Sequence, residues 1–389
     1  MCVRVIEMDY KLGEVMPMNN ATSALQVRNH IIELLAKKRN YQQEIKDLAS
    51  QYEYVVFYGC GMILNSIIDT WNQYIGRKID FCCDRDSEKW GKSFRGIKCI
   101  SPQELTAIKD RCAVFVTIGK FRAAYDFLQG IGIASVNQIF KYDIVAAELL
   151  HKIQPAELAE HLSQTCNVLS DAQSVKVFEA IVNRIFDCKS GLDVMADVCE
   201  KNQYFPTDII KLSDHESLVD GGAFDGDTIA DFARRTHGLF DNIFAFEMDE
   251  INFNALRENV RKMPEQDRIK IFNLGIWDRE CDITYSTESA DSSIGEGAAH
   301  GHVVTLDDAL KNEKVTFIKM DIEGAEPQAL RGAQNIIRTQ KPKLAICIYH
   351  DFKHLWEIPL YIKELVPEYK IYLRHHTDLA YETVCYAMV

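Results

Sequence analysis

The sequence has no apolar run near the roughly 18 residues that a membrane-spanning helix needs, and no C-x-x-C pair of the kind that marks many zinc and redox sites. Its 12 cysteines are scattered. Neither a zinc site nor a secreted disulfide framework fits that spread, so reduced thiols in a cytoplasmic protein are expected. Near the N-terminus, Arg4, Glu7 and Asp9 stand where an export signal would carry an apolar core, and no export is expected. Positive charge is in deficit: 44 Lys and Arg against 57 Asp and Glu leave a net charge of −13. That balance argues against nucleic acid or an anionic membrane as the main partner. Internal repeats and low-complexity tracts are also missing, apart from a Ser/Gly/Ala-rich stretch at 286–301. What remains is ordinary globular material, 389 residues with 47% hydrophobic and 26% charged, enough for two or three domains.

The hydrophobic period divides the chain. Residues 1–51 read as helical: Ile31, Ile32, Leu34 and Leu35 precede Lys37, Lys38 and Arg39, which suits an amphipathic helix with basic residues in its last turn. Over 52–140, continuous apolar runs at Tyr54–Tyr58, Ile79–Cys83 and Ala113–Ile118 alternate with helical patterns, which predicts a small doubly wound α/β domain. Residues 141–212 lose the strand signal and predict a helical connector packed on one or both domains. Ser170-Asp171-Ala172-Gln173 is a capping-box candidate opening a helix to about Phe186. From 213 to 389 the βα alternation returns. Strands are expected at Leu218–Gly221, Ile243–Phe246, Ile269–Leu274, Val315–Asp321, Leu344–Tyr349, Tyr369–Leu373 and Thr383–Met388, with helices near 227–236, 250–262, 326–338 and 356–366. The last two strands leave no room for a helix between them, which predicts an antiparallel hairpin at one sheet edge.

Two glycine loops follow strands. Gly59-Cys60-Gly61 has the first two glycines of a dinucleotide fingerprint, but Leu64 takes the third position; Asp84 ends the next strand, where an acid would hold ribose hydroxyls. A tight turn with no ligand explains this loop equally well. The second loop, Asp220-Gly221-Gly222-Ala223-Phe224-Asp225-Gly226-Asp227-Thr228, places Asp227 at a helix start, where a diphosphate would want no carboxylate. A cationic ligand suits it better, and S-adenosylmethionine carries an ammonium, a sulfonium and a ribose. Glu247 ends the following strand as the natural ribose acceptor.

Val219-Asp220-Gly221-Gly222-Ala223 with Gly226, Phe246-Glu247, Thr305-Leu306-Asp307-Asp308 and Ile318-Lys319-Met320-Asp321-Ile322-Glu323-Gly324-Ala325-Glu326 together resemble the FkbM family of S-adenosylmethionine-dependent methyltransferases. The resemblance covers about 203–389, and Lys-x-Asp-x-Glu-Gly-x-Glu is its most specific part. It implies a class I methyltransferase Rossmann-like sheet of seven strands, the last antiparallel, and methylation of a hydroxyl on a sugar or related small molecule. The tail Tyr349-His350-Asp351 to Tyr372-Leu373-Arg374 is similar to a subset of the family. The first domain is more loosely similar to small Rossmann-like domains that precede sugar-modifying enzymes.

The cofactor set expected on these grounds is Asp220, Gly222, Ala223, Gly226, Asp227, Thr228, Glu247, Met248, Asn273 and Gly275. Tyr204 and Phe205 would form an aromatic wall or pack in the core. Adenine would lie near Asn273, Leu274 and Gly275, beside Trp277 and Asp278. Methyl transfer is an in-line displacement in which the acceptor oxygen loses a proton. His350 is the first choice as base because it titrates near neutrality; Asp321 is the alternative, and Glu323 and Lys319 complete the catalytic candidates. Asp321, Glu323 and His350 could instead bind a divalent metal, but their spacing does not demand one and no metal is predicted. For Glu323 and Glu326, acids at a helix N-terminus are the simpler reading, and for Lys319 a salt bridge. The loop 286–302, with His300 and His302, would be a lid or merely a hairpin tip. The first domain would bind the acceptor's carrier or mediate self-association. Competing readings make the chain a nicotinamide oxidoreductase or nucleotide-sugar-binding protein through that domain, or a scaffold without chemistry.

Overall fold

A computed structural model describes residues 41–119, 121–139, 152–186, 195–285, 299–377 and 381–389, with Asn29, Glu33 and Ile144 besides. The expected basic-ended helix at 31–39 lies outside the described residues. The first sheet comprises β1 (Tyr54–Tyr58), β2 (Phe81–Cys83), β3 (Ser93–Phe94), β4 (Ile97–Ile100), β5 (Cys112–Val116) and β6 (Ser135–Gln138), ordered β3-β4-β2-β1-β5-β6. All neighbours are parallel except β3 and β4. Successive residues of β1 feed two cores: Val55 and Phe57 one, Val56 and Tyr58 the other. A strand covered on both faces must be apolar at every position, which is why its sequence shows no alternation.

The second sheet comprises β7 (Ser217–Gly221), β8 (Asn242–Phe246) and β9 (Ile269–Phe272), then, after a small three-stranded sheet of β10 (Gly275–Ile276), β11 (Cys281–Tyr285) and β12 (Ala299–Val304), β13 (Phe317–Met320), β14 (Lys343–Cys347), β15 (Lys370–His375) and β16 (Thr383–Met388). Its order is β15-β16-β14-β13-β7-β8-β9. The last strand runs antiparallel to both of its neighbours. This is the seven-stranded class I methyltransferase arrangement with an antiparallel final strand. One detail differs from a simple edge hairpin: β16 inserts between β14 and β15, so the edge strand is β15.

Where local sequence misleads, a distant contact explains it. The continuous helix expected at 326–338 is split into Glu326–Arg331 and Gln334–Gln340. Gly332 lies so close to the Trp277 carbonyl that a Cβ would stand 1.9 Å from its oxygen. Asp307 then caps the second piece, accepting from the Asn335 and Ile336 N–H groups at 2.9 Å each. The cap of the helix Ala172–Phe186 shifts by one residue from the expected box. Asp171 accepts from the Ser174 N–H, while the Ser170 hydroxyl accepts from Ile371 N on β15.

The helices Pro155–Val168 and Ala172–Phe186 share the core of the second sheet, Leu158, Leu162 and Phe178 packing with Ile371 and Leu373. Buried Arg374 adds an ionic clamp, its guanidinium meeting Asp171, Asp208 and Glu200. Among the described residues no helix is long and apolar enough to cross a membrane.

At the opposite end of β7, Glu216 is 1% exposed and meets Lys343 at 2.6 Å. Burial opposes its charge, but Lys343, Thr316 and Ser213 outweigh that and hold the carboxyl below its ordinary range. A carboxyl with a depressed folded pKa stabilises fully above its unfolded value, about 4.3. It loses that contribution as pH falls through the lower folded value. The stability difference between wild type and Glu216→Gln, read by urea unfolding, should therefore stay level from about pH 7 to 5 and shrink below about pH 4. A gap that widens in acid would contradict this linkage.

Candidate active site

A cavity of about 390 Å³ opens beyond the carboxyl ends of β7, β8 and β13, the place where open α/β sheets hold ligands. The turn after β7 shapes one wall. Gly222 takes φ +72, and a Cβ there would stand 1.9 Å from the Asp321 carbonyl oxygen. The Gly222 and Ala223 N–H groups both donate to Phe246 O at 3.0 Å, tying the turn to β8. Ala223 is buried and Gly226 forms the left-handed cap of the helix Asp227–Arg235, so these two shape the turn rather than face the cavity.

Glu247 follows β8 and lines the cavity. One carboxylate oxygen accepts from Phe224 N at 2.9 Å and the other from Asp249 N at 2.8 Å, which fixes the group while leaving lone pairs for a ligand. Burial pushes its carboxyl pKa up despite those two donors. Met248, Gly275, Asp227, Thr228 and Tyr204 also line the cavity. Asn273 does not: its amide donates to the Glu247 and Met248 carbonyls and holds that backbone. Trp277 and Asp278 likewise lie off the cavity, Asp278 pairing with Arg331.

Three expectations are corrected. Asp220 does not reach a ligand; its carboxylate is fully buried and meets Lys319 Nζ at 2.9 Å. Phe205 is core, edge-on to Phe317 at 5.6 Å, while Tyr204 (φ +65) packs against the same core and lines the cavity. Lys319 borders the cavity but its ammonium is committed, donating to Gly221 O at 3.2 Å and Gly222 O at 2.7 Å besides pairing with Asp220. Burial opposes its charge, yet Asp220 outweighs that and holds the ammonium above its usual pKa. Lys319 is thus a brace beneath the glycine turn, with no free proton chemistry.

The other wall holds carboxylates. Asp321 accepts from Tyr204 Oη at 2.8 Å and from Tyr349 Oη at 2.9 Å. Glu323, in the left-handed region at φ +55, faces the cavity from the next turn. His350 sits behind them with its side chain 7% exposed, Nδ1 at 2.9 Å from Glu326 and Nε2 at 3.4 Å from both Asp321 and Glu323. Burial works against its charge, but Glu326 first, then Asp321 and Glu323, raise its pKa to about 10. The ring does not line the cavity, where an acceptor would enter. His350 is therefore set aside as the base.

Several lining residues escaped the sequence reading. Ile283 and Tyr285 on β11 and Val303 on β12, flanking the small-residue loop expected at 286–302, form a wall of the cavity. The tip of that loop, 286–298, lies outside the described residues. His302 pairs with Asp282 and Glu280 on the exposed face. Glu382, just before β16, closes the far side and accepts from the Gln203 amide. Alternation through Cys281–Tyr285 was the available signal for β11; nothing local marked Glu382.

In the first sheet, Asp84 turns inward. It accepts from Cys60 N, Lys89 Nζ and Asp86 N at 2.9 Å each, so it caps its own glycine turn. Gly59 is required by packing, since a Cβ would stand 2.1 Å from Ile118. Both observations favour the ligand-free reading of that loop.

The strand order and the crevice beyond it define a class I methyltransferase fold. Residues 220–377 match the family model described as the methyltransferase FkbM domain. The crystal structure of methyltransferase FkbM from Methylobacillus flagellatus KT is similar at TM-score 0.71 and 23% identity, over 95% of this chain and 99% of that one. An rRNA methylase from Streptococcus thermophilus shares 14% identity at TM-score 0.31, over 52% of this chain and 95% of that one. Precorrin-6y C5,15-methyltransferase from Geobacter metallireducens GS-15 shares 10% at TM-score 0.30, over 49% and 93%. No curated protein matches the sequence.

Proposed function

We propose that the protein transfers a methyl group from S-adenosylmethionine to a hydroxyl of an uncharged small molecule such as a sugar. The observation that carries this reading is Glu247, a carboxylate at the end of β8 with both oxygens braced by N–H groups and its face on the cavity. Such a group accepts from two ribose hydroxyls without rearranging. The cavity's charge supports it further. Asp227, Glu247, Asp249, Asp321, Glu323 and Glu382 line it against the single, already paired ammonium of Lys319. That wall favours a cationic cofactor and disfavours an acceptor with phosphate near the reacting centre.

The cofactor would supply an electrophilic methyl on a sulfonium. The chain's own residues align and deprotonate. Tyr204 and Tyr349 fix the Asp321 carboxylate, and Glu323, 40% exposed at its side chain, lines the cavity and is open to an entering acceptor. As the new O–C bond forms the acceptor oxygen becomes more acidic, so a carboxylate suffices to take its proton; Glu323 is assigned that role. The apolar surface of Ile283, Tyr285 and Val303 would cover the cofactor from the small sheet.

Calorimetry tests the cofactor. S-adenosylmethionine should bind, and Glu247→Ala should weaken it by about 1–3 kcal/mol, roughly 5- to 150-fold in Kd. Binding of NAD in its place, or an unchanged affinity in the variant, would remove this reading.

A further inference from the structure

We propose that Asp321, Glu326 and His350 form a binding site for one divalent metal ion of the class that accepts mixed imidazole and carboxylate ligands, such as Mn²⁺. One ligand atom from each residue lies within 4.8 Å of the others. Opposite ligands of an ion with bonds of about 2.0–2.3 Å stand roughly 4–4.6 Å apart, so small side-chain shifts complete the sphere.

The bonding state of the cluster is the second observation. His350 Nδ1 and Nε2 and Glu326 Oε2 are buried with no well-aligned hydrogen bond, although charged partners lie at ion-pair distance, Nδ1 at 2.9 Å from Glu326 and His354 at 3.6 Å from Glu326 Oε2 among them. Buried polar atoms left in that state call for a partner. Charge points the same way. Three carboxylates, Asp321, Glu323 and Glu326, face two imidazoles, His350 and His354, and the nearby ammonium of Lys319 is taken by Asp220. Glu326 is fully buried, and a fully buried carboxylate needs compensation. A divalent cation supplies it.

The surroundings resemble those that orient metal ligands elsewhere. Both Asp321 oxygens are held by tyrosine hydroxyls, and Glu326 accepts from Ile322 N at 3.0 Å. Asp321 also lines the cavity, so an ion here would have one side open to it. Given the methyl transfer proposed above, on which this consequence rests, the ion would polarise the acceptor hydroxyl and make its proton easier for Glu323 to remove.

The test is direct metal binding to the full chain. After chelator treatment the protein is titrated with Mn²⁺ and the free ion is followed by electron paramagnetic resonance. One Mn²⁺ should bind per chain, with a nitrogen coupling in the pulsed spectrum. His350→Gln should abolish that coupling and Glu326→Gln should weaken binding at least about tenfold. His302→Gln, which alters the exposed His302, Asp282 and Glu280 group, should leave count and coupling unchanged. Absence of saturable binding, loss of the nitrogen signal in His302→Gln, or its persistence in a folded His350→Gln would overturn the proposal. Should the His350 variant fail to fold, the wild-type count and the His302 control still decide. S-adenosylmethionine binding to the same preparation separates the two readings: cofactor without metal sinks this proposal alone, and metal without cofactor sinks the methyl-transfer reading alone.

Discussion

Replacing Lys319 by methionine should destabilise the C-terminal half by about 3–5 kcal/mol, the range seen when one partner of a buried ion pair is removed. Methionine fills much of the same volume, so the loss is electrostatic. Asp220 would be left without its compensating charge in a fully buried site, and the Gly221 and Gly222 carbonyls would lose their donor. The double variant Asp220→Leu, Lys319→Met removes both charges and should recover most of that loss, because a well-packed apolar pair often matches a buried ionic one. Urea unfolding of the four proteins reads the coupling. If the two single losses simply add in the double variant, Lys319 does not hold the turn through Asp220.

Gly222→Ala should be comparably severe, about 3–5 kcal/mol, and should abolish cofactor binding as well. Two faults combine. The residue sits at φ +72, and its new Cβ would stand 1.9 Å from the Asp321 carbonyl oxygen, a backbone atom that cannot swing away. The turn would have to leave β13, carrying with it the wall opposite Glu247. Gly61→Ala is the matched control in the other glycine loop, where nothing lies within 4 Å of the added atom. It should change stability by less than about 0.5 kcal/mol. Thermal melts and calorimetry with S-adenosylmethionine measure both; near-equal effects of the two substitutions would refute the close-approach account of Gly222.

The contrast between these loops shows how far local pattern reaches. Both follow a buried strand, both open a helix, and both have an acid at the end of the next strand. Asp84 folds back onto the Cys60 N–H and Lys89, whereas Glu247 is braced from behind and keeps its face on the cavity. Sequence spacing treats the two acids alike. Their difference lies in which donors the surrounding loops bring up.

His350 and Asp220 make the same point. Each was singled out for its chemistry at a strand end, and each is turned away from the cavity by a partner that spacing does not reveal. Glu326 closes the Lys-x-Asp-x-Glu-Gly-x-Glu segment and reads most simply as an acid at a helix start, yet it is the residue that pairs with the His350 ring. Glu382, far along the chain from Gln203 and Asp321, completes the same wall.

The sequence alone determined the alternation of strands and helices, the two-faced burial of the central strands and the glycine turn with its flanking acids. These follow from side-chain period and backbone sterics, which act over a few residues. Only the tertiary structure decided which polar groups face a ligand and which face one another. A buried charge is settled by whichever opposite charge folding places within a few ångströms, and that neighbour can come from any part of the chain.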